Sequence, residues 1–119
     1  MKKIYHLKTC TTCKRFLGKL QFPPDVVLQD VKSQPITASE LDELKTLSGS
    51  YESLFSRKSK LYIEMGLKNA ELTEVDYRHY ILGHYTFLKR PVCVFDQHIF
   101  IGPSEENLMA IQQLISSNG

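Results

Sequence analysis

Two cysteines three positions apart, Cys10 and Cys13 in HLKTCTTCKRFLGKL, stand where a strand gives way to a helix. No other feature restricts the fold of this chain as tightly. Upstream, KKIYHL alternates around Ile4, Tyr5 and Leu7, the period-two pattern of a half-buried strand. Downstream, Cys13, Phe16, Leu17 and Leu20 recur at i, i+3, i+4 and i+7, the stripe of a packed helix, with Thr11 or Thr12 expected to cap its first turn. Pro23 and Pro24 stop that helix, and DVVLQDV reads as a second strand rich in valine. Strand, helix and strand in such close succession imply a right-handed βαβ unit.

The middle of the chain changes period. Thr37 and Glu40 form a capping box ahead of Leu41, Leu44 and Leu47, and SGS ends that helix. Tyr51, Leu54 and Phe55 are expected to begin another short helix, and Leu61, Tyr62 and Met65 lead to Gly66 as a C-terminal cap. Thr73 and Asp76 cap a segment with Tyr77, Tyr80 and Ile81 on one face. Residues 37–86 therefore read as a helical block without strands. After LKRP the period returns to two: VCVF and IFIG flank DQH, giving two short strands and a tight turn. Pro103 and Ser104 start a last helix with Leu108, Ile111, Leu114 and Ile115 facing inward. The order β-α-β, helical block, β-β-α specifies an α/β protein with a mixed sheet and helices packed on it.

Composition removes several function classes. The chain has 119 residues, enough for one domain with a real core, and its 42% hydrophobic and 24% charged residues are those of an ordinary globular protein. A net charge of +2, with basic residues scattered, is too small to suggest nucleic acid as the main ligand, so no direct nucleic-acid binding is expected. No apolar run approaches the roughly 20 residues that cross a bilayer, and MKKIYHLKTC lacks a signal-peptide core, so no membrane is expected and the cytoplasm is the expected location. Cys10, Cys13 and Cys93 make an odd number, which is not a secreted disulfide framework. In a reducing compartment, thiols are catalytic, metal-binding or simply buried.

The pair Cys10–Cys13 admits three readings. Zinc wants four ligands, and His6, His79, His84 and His98 are spread along the chain without a second cluster, so no metal is expected. A permanent staple would close a tiny ring against the reducing environment. The redox reading explains more. The first sulfur of a CxxC at a strand–helix junction sits at the helix N-terminus, where unpaired amides and the dipole favour a thiolate. Cys10 is then the exposed, low-pKa nucleophile, helped by Lys8, Lys14 or Arg15, and Cys13 resolves a mixed disulfide formed on it. A CxxC opening a βαβ unit, with a ββα ending, indicates a thioredoxin-like fold. Cys93, between Val92 and Val94, reads as a buried strand residue, and His6 as a neighbour of Cys10 with at most a minor acid–base role.

IYHLKTCTTCKRFLGKL, FSRKSKLYIEMGL and FLKRPVCVFDQHIFIG, in that order, resemble the arsenate reductase (ArsC) family, which includes regulators of the Spx type. The resemblance implies one thioredoxin-like domain over 1–119 with a helical insertion at approximately 37–86, and Cys10 as the active cysteine. It implies that Pro91 is the cis-proline opposite that cysteine and that Arg90 is the family arginine preceding it. Arg57, in FSRKSK, matches an arginine that helps hold an oxyanion near the thiolate; on composition alone it would simply solvate a helix surface. Both arginines offer forked hydrogen bonds to an oxyanion or carboxylate. Two departures stand out. Gly102 precedes Pro103 where family arsenate reductases carry a further arginine, which weighs against arsenate, and the paired Cys10 and Cys13 resemble the redox switch of the Spx branch. The implied function is a thiol-dependent reductase with no bound cofactor, its electrons supplied by glutathione, glutaredoxin or thioredoxin. The second reading is a redox-sensing transcriptional regulator that binds the RNA polymerase α subunit.

Overall fold

The computed structural model describes residues 2–117, which divide into two compact units. One combines the residues up to Gln34 with those from Arg90 onward, and the other is Pro35–Lys89. The first unit carries a four-stranded sheet built from β1 (Lys2–His6), β2 (Val27–Asp30), β3 (Val92–Phe95) and β4 (His98–Ile101), in the order β2-β1-β3-β4. β1 runs parallel to β2, with Ile4 opposite Leu28 and His6 opposite Asp30. It runs antiparallel to β3, with Ile4 opposite Cys93. The parallel pair needs a crossover, which α1 (Thr11–Lys19) supplies. β3 and β4 are joined by Asp96 and Gln97 alone, and Asp96 takes the left-handed conformation (φ 57°) that so short a connection demands.

Alternation sorts the side chains of this unit. Ile4, Cys93 and Phe95 on one face of the sheet meet Phe16 and Leu20 from the first helix and Ile111 from α5 (Glu105–Ser117) in a single buried cluster. Leu108, Leu114 and Ile115 extend it as partly buried neighbours. Each large side chain so enclosed stabilises the fold by about 1.5–3 kcal/mol relative to exposure. Tyr5, Val92 and Val94, on the opposite face, are buried as well. That is why VCVF is an unbroken apolar run while the edge strand β4 carries an exposed His98.

Within the second unit, α2 (Ala38–Ser48) starts from a complete capping box: Glu40 N donates to Thr37 Oγ1 at 3.1 Å and Thr37 N donates to Glu40 Oε1 at 2.9 Å. It ends at Gly49, whose φ of 95° lets the chain turn out of the helix. α3 (Lys60–Glu64) closes onto Gly66, also left-handed, and α4 (Glu74–Gly83) has a second capping box from Thr73 and Asp76. Phe55 is fully buried and is ringed by Tyr77 at 4.9 Å, Phe87 at 5.5 Å and Tyr62 at 5.9 Å between centroids.

Three expectations are corrected. The first helix is capped by Cys10, not by Thr11 or Thr12, and no side chain accepts a hydrogen bond in the cap position. The segment from Tyr51 forms only a 3-10 turn, Glu52–Leu54, because Phe55 goes extended to pair with Leu88. The helical block holds no strand among the described residues, as expected, and this isolated bridge is flanked by bonds from Ser56 N to Phe87 O and from Lys89 N to Leu54 O. In the last helix Ser104 does the capping, accepting from Asn107 N at 3.1 Å, and Pro103 precedes it.

Candidate active site

The loop between β1 and α1 is set by backbone bonds. Cys10 N donates to Leu7 O at 3.0 Å, and Lys14 N donates back to Cys10 O at 3.0 Å, so the helix begins on the cysteine itself. Asp30, at the end of β2, holds the loop from the side: its Oδ1 accepts from Lys8 N at 3.1 Å. The Lys8 amide first, then the Ser33 hydroxyl and the Lys32 amide, which also donate to this carboxylate, hold Asp30 below its ordinary value. Asp30 is a positioning residue that sequence reading missed; the interaction joins residues 22 apart and no local spacing announces it.

The half-buried Cys10 sulfur faces the first turn of the helix. Burial pushes its pKa up, but the backbone amide of Cys13, the Cys13 thiol and the backbone amide of Thr12 favour its thiolate, and the Arg90 charge adds to them. The balance leaves Cys10 below an ordinary thiol. Cys13, one turn inside and buried, goes the other way, to about 11: desolvation dominates, and the neighbouring Cys10 adds charge repulsion and a hydrogen bond that favours the protonated thiol. Arg90 and the Leu7 amide oppose that shift without reversing it. The cation among the leading influences on both sulfurs is Arg90. Arg90 is joined to Pro91 by a cis peptide bond immediately before β3.

Cys93 lies in the core cluster with Phe16 and Ile4, and burial pushes its thiol up to about 12. His6 is held below its ordinary value, chiefly by burial, with Asp30 opposing and Lys8 assisting. Arg57 belongs to the other unit, in the loop between Phe55 and α3 and not on a helix surface. Its Nη2 donates to Glu52 Oε2 at 2.8 Å and to the Tyr77 hydroxyl at 3.0 Å, and its guanidinium lies over the Tyr77 ring. Cys10, Cys13, Arg90 and Pro91 therefore share one unit, and Arg57 stands in a polar cluster of the other. Among the described residues, no group of three or more His, Cys, Asp or Glu is placed to hold a metal ion, and no helix is long and apolar enough to cross a membrane.

A family model described as the ArsC family matches residues 5–111 of this chain. The global transcriptional regulator Spx 1 of Lactococcus lactis subsp. lactis is 26% identical over 113 residues, covering 92% of this chain and 88% of the relative. The Spx regulator of Streptococcus pneumoniae is 23% identical over 106 residues, covering 86% and 78%. Among solved structures, an arsenate reductase from Vibrio cholerae matches with a TM-score of 0.77 at 20% identity over 92% of this chain and 96% of that one, a likeness of fold. A possible arsenate reductase from Streptococcus mutans UA159 matches with a TM-score of 0.71 at 26% identity, covering 92% and 98%. The fold these neighbours share is the thioredoxin-like mixed sheet described above.

Proposed function

This chain belongs to the ArsC family, and from that premise we propose that it is a thiol–disulfide redox protein, a thiol-dependent reductase whose nucleophile is Cys10. The observation that carries the reading is the opposite displacement of two adjacent thiols: Cys10 is eased toward the thiolate by main-chain amides, and Cys13 is kept protonated beside it. A thiolate at Cys10 attacks an oxidised substrate and takes it into a covalent adduct. Adduct formation removes the Cys10 negative charge. That charge is one of the causes holding Cys13 up, so Cys13 becomes easier to ionise at the step where it must attack the Cys10 sulfur and release product. Arg90 binds an anionic part of the substrate next to Pro91, and Arg57 is retained as a second anion-binding candidate on the family resemblance alone. The protein works in the cytoplasm without a bound cofactor, and glutathione, glutaredoxin or thioredoxin restores the dithiol.

Cys10→Ser should abolish turnover of an oxidised substrate, whereas Cys13→Ser should accumulate a mixed disulfide on Cys10, visible by intact mass. Full activity in Cys10→Ser refutes the assignment.

One observation favours a second reading: the curated relatives are transcriptional regulators of the Spx type. On that reading the same pair senses oxidation, and the protein binds the RNA polymerase α subunit without turning over a substrate. A stoichiometric polymerase complex that changes with the oxidation state of Cys10 and Cys13, in a protein with no reductase turnover, would select it.

A further inference from the structure

A cleft of about 210 Å3 opens between α1 and the start of α5, and nothing proposed so far uses it. One wall is the i, i+3, i+4, i+7 face of the first helix: Thr12, Arg15, Phe16 and Lys19. Pro103, Glu105 and Leu108 form the other. Thr12, which lines the cleft, stands two residues past Cys10, in the first turn of the helix that the cysteine caps.

The charges inside it are unequally engaged. Lys19 Nζ lies 3.5 Å from Glu105 Oε1, whereas Arg15 is exposed and pairs with no carboxylate among the described residues. A guanidinium so placed offers a planar fork to a carboxylate, and Phe16 and Leu108 offer an apolar surface alongside. Pockets that enclose drug-sized ligands measure roughly 300–1,000 Å3. This one is smaller, so it takes one arm of a ligand whose remainder lies outside.

We propose that this cleft seats one arm of a peptidic disulfide, with a carboxylate of that arm on Arg15 and its sulfur at Cys10. The inference rests on Cys10 as nucleophile and names the substrate class for it. The Cys10 thiolate attacks the seated sulfur, the Cys10–substrate S–S bond forms, and the substrate's own S–S bond breaks. The unseated half leaves as a thiolate and takes a proton from solvent. Cys13 then loses its proton and attacks Cys10; the seated arm departs as the second thiol, and the two electrons come from the Cys10–Cys13 dithiol.

The test compares the second-order rate of Cys10 oxidation by oxidised glutathione, which carries carboxylates, with that by uncharged bis(2-hydroxyethyl) disulfide. Arg15→Ala should slow the first about tenfold, the size of one exposed charge-assisted hydrogen bond, and leave the second unchanged. Arg15→Lys should recover part of the loss. Equal loss on both disulfides, or no loss on either, overturns the inference. Amide NMR of Cys10→Ser with S-methylglutathione separates this from the reductase reading: shifts should centre on Thr12, Lys19 and Leu108 and weaken when Arg15→Ala is added. Binding there by a wild type that reacts with neither disulfide would keep the cleft and end the reductase reading. Reaction without such binding, and without dependence on Arg15, would end the inference alone.

Discussion

Cys10, Cys13 and Cys93 are the same side chain in three dielectric settings, and their reactivities should separate accordingly. In alkylation against pH, Cys10 should titrate below the ordinary thiol value of 9.0, while Cys13, at about 11, and Cys93, at about 12, stay unreactive near neutrality. Arg90→Gln should move the Cys10 midpoint upward, because loss of the cation disfavours the thiolate; an unmoved midpoint would leave the amides and the Cys13 thiol as its support. Cys93 also links stability to pH. Its thiol ionises near 9.0 in the unfolded chain and near 12 in the fold, so its stabilising contribution is complete below pH 9.0 and is lost as pH rises from there toward 12. Cys93→Val, which keeps a strand former of similar size, should raise the midpoint of alkaline unfolding. The buried state of Cys93 was legible in the sequence from its valine neighbours. The cation near Cys10 was legible only through the family resemblance and not from local spacing, since Arg90 is 80 positions away in the chain and the pairing of β1 with β3 brings its segment alongside.

Helices that begin with local signals were readable, and one that does not was misread. The boxes at Thr37–Glu40 and Thr73–Asp76 need only a spacing of three residues. Thr37→Ala and Thr73→Ala should each cost about 1 kcal/mol, read as a lower denaturation midpoint. Thr11→Ala should stay within about 0.5 kcal/mol of the parent, because the first helix is capped one residue earlier, at Cys10. Threonine is the better capping residue on propensity, yet the bond from Cys10 N to Leu7 O draws the start of the helix back onto the cysteine. Between α2 and α4, Arg78 forks onto Asp42 at 2.9 and 3.2 Å, and the Tyr51 hydroxyl donates to the same carboxylate at 2.6 Å. The Arg78 hydrogen bond first, then that of Tyr51, hold Asp42 at about 2. The support this cluster gives is complete above the ordinary carboxylate value of 3.8 and is lost as pH falls through about 2, so Asp42→Asn should flatten the acid limb of unfolding.

For the molecule as a whole, period alone gave the strand and helix order, and the strand order follows once β1 lies between β2 and β3. The core of the sheet-bearing unit converges on Ile111, fully buried, and Ile111→Ala should cost about 2–5 kcal/mol in chemical denaturation. What sequence could not supply were long-range polar ties, such as Asp30 to the Lys8 amide and Arg57 to Glu52 and Tyr77, which depend on folded geometry and not on spacing. On the proposed redox function, the molecule inherits a bias from where its first helix begins. Amides that stabilise a thiolate at Cys10 have nothing comparable to hold once that sulfur is oxidised, so they favour the reduced dithiol. Each pKa unit by which they take Cys10 below the working pH raises the reduction potential of a Cys10–Cys13 couple by roughly 30 mV. The device that sharpens the nucleophile therefore also makes the oxidised form a keener acceptor of electrons.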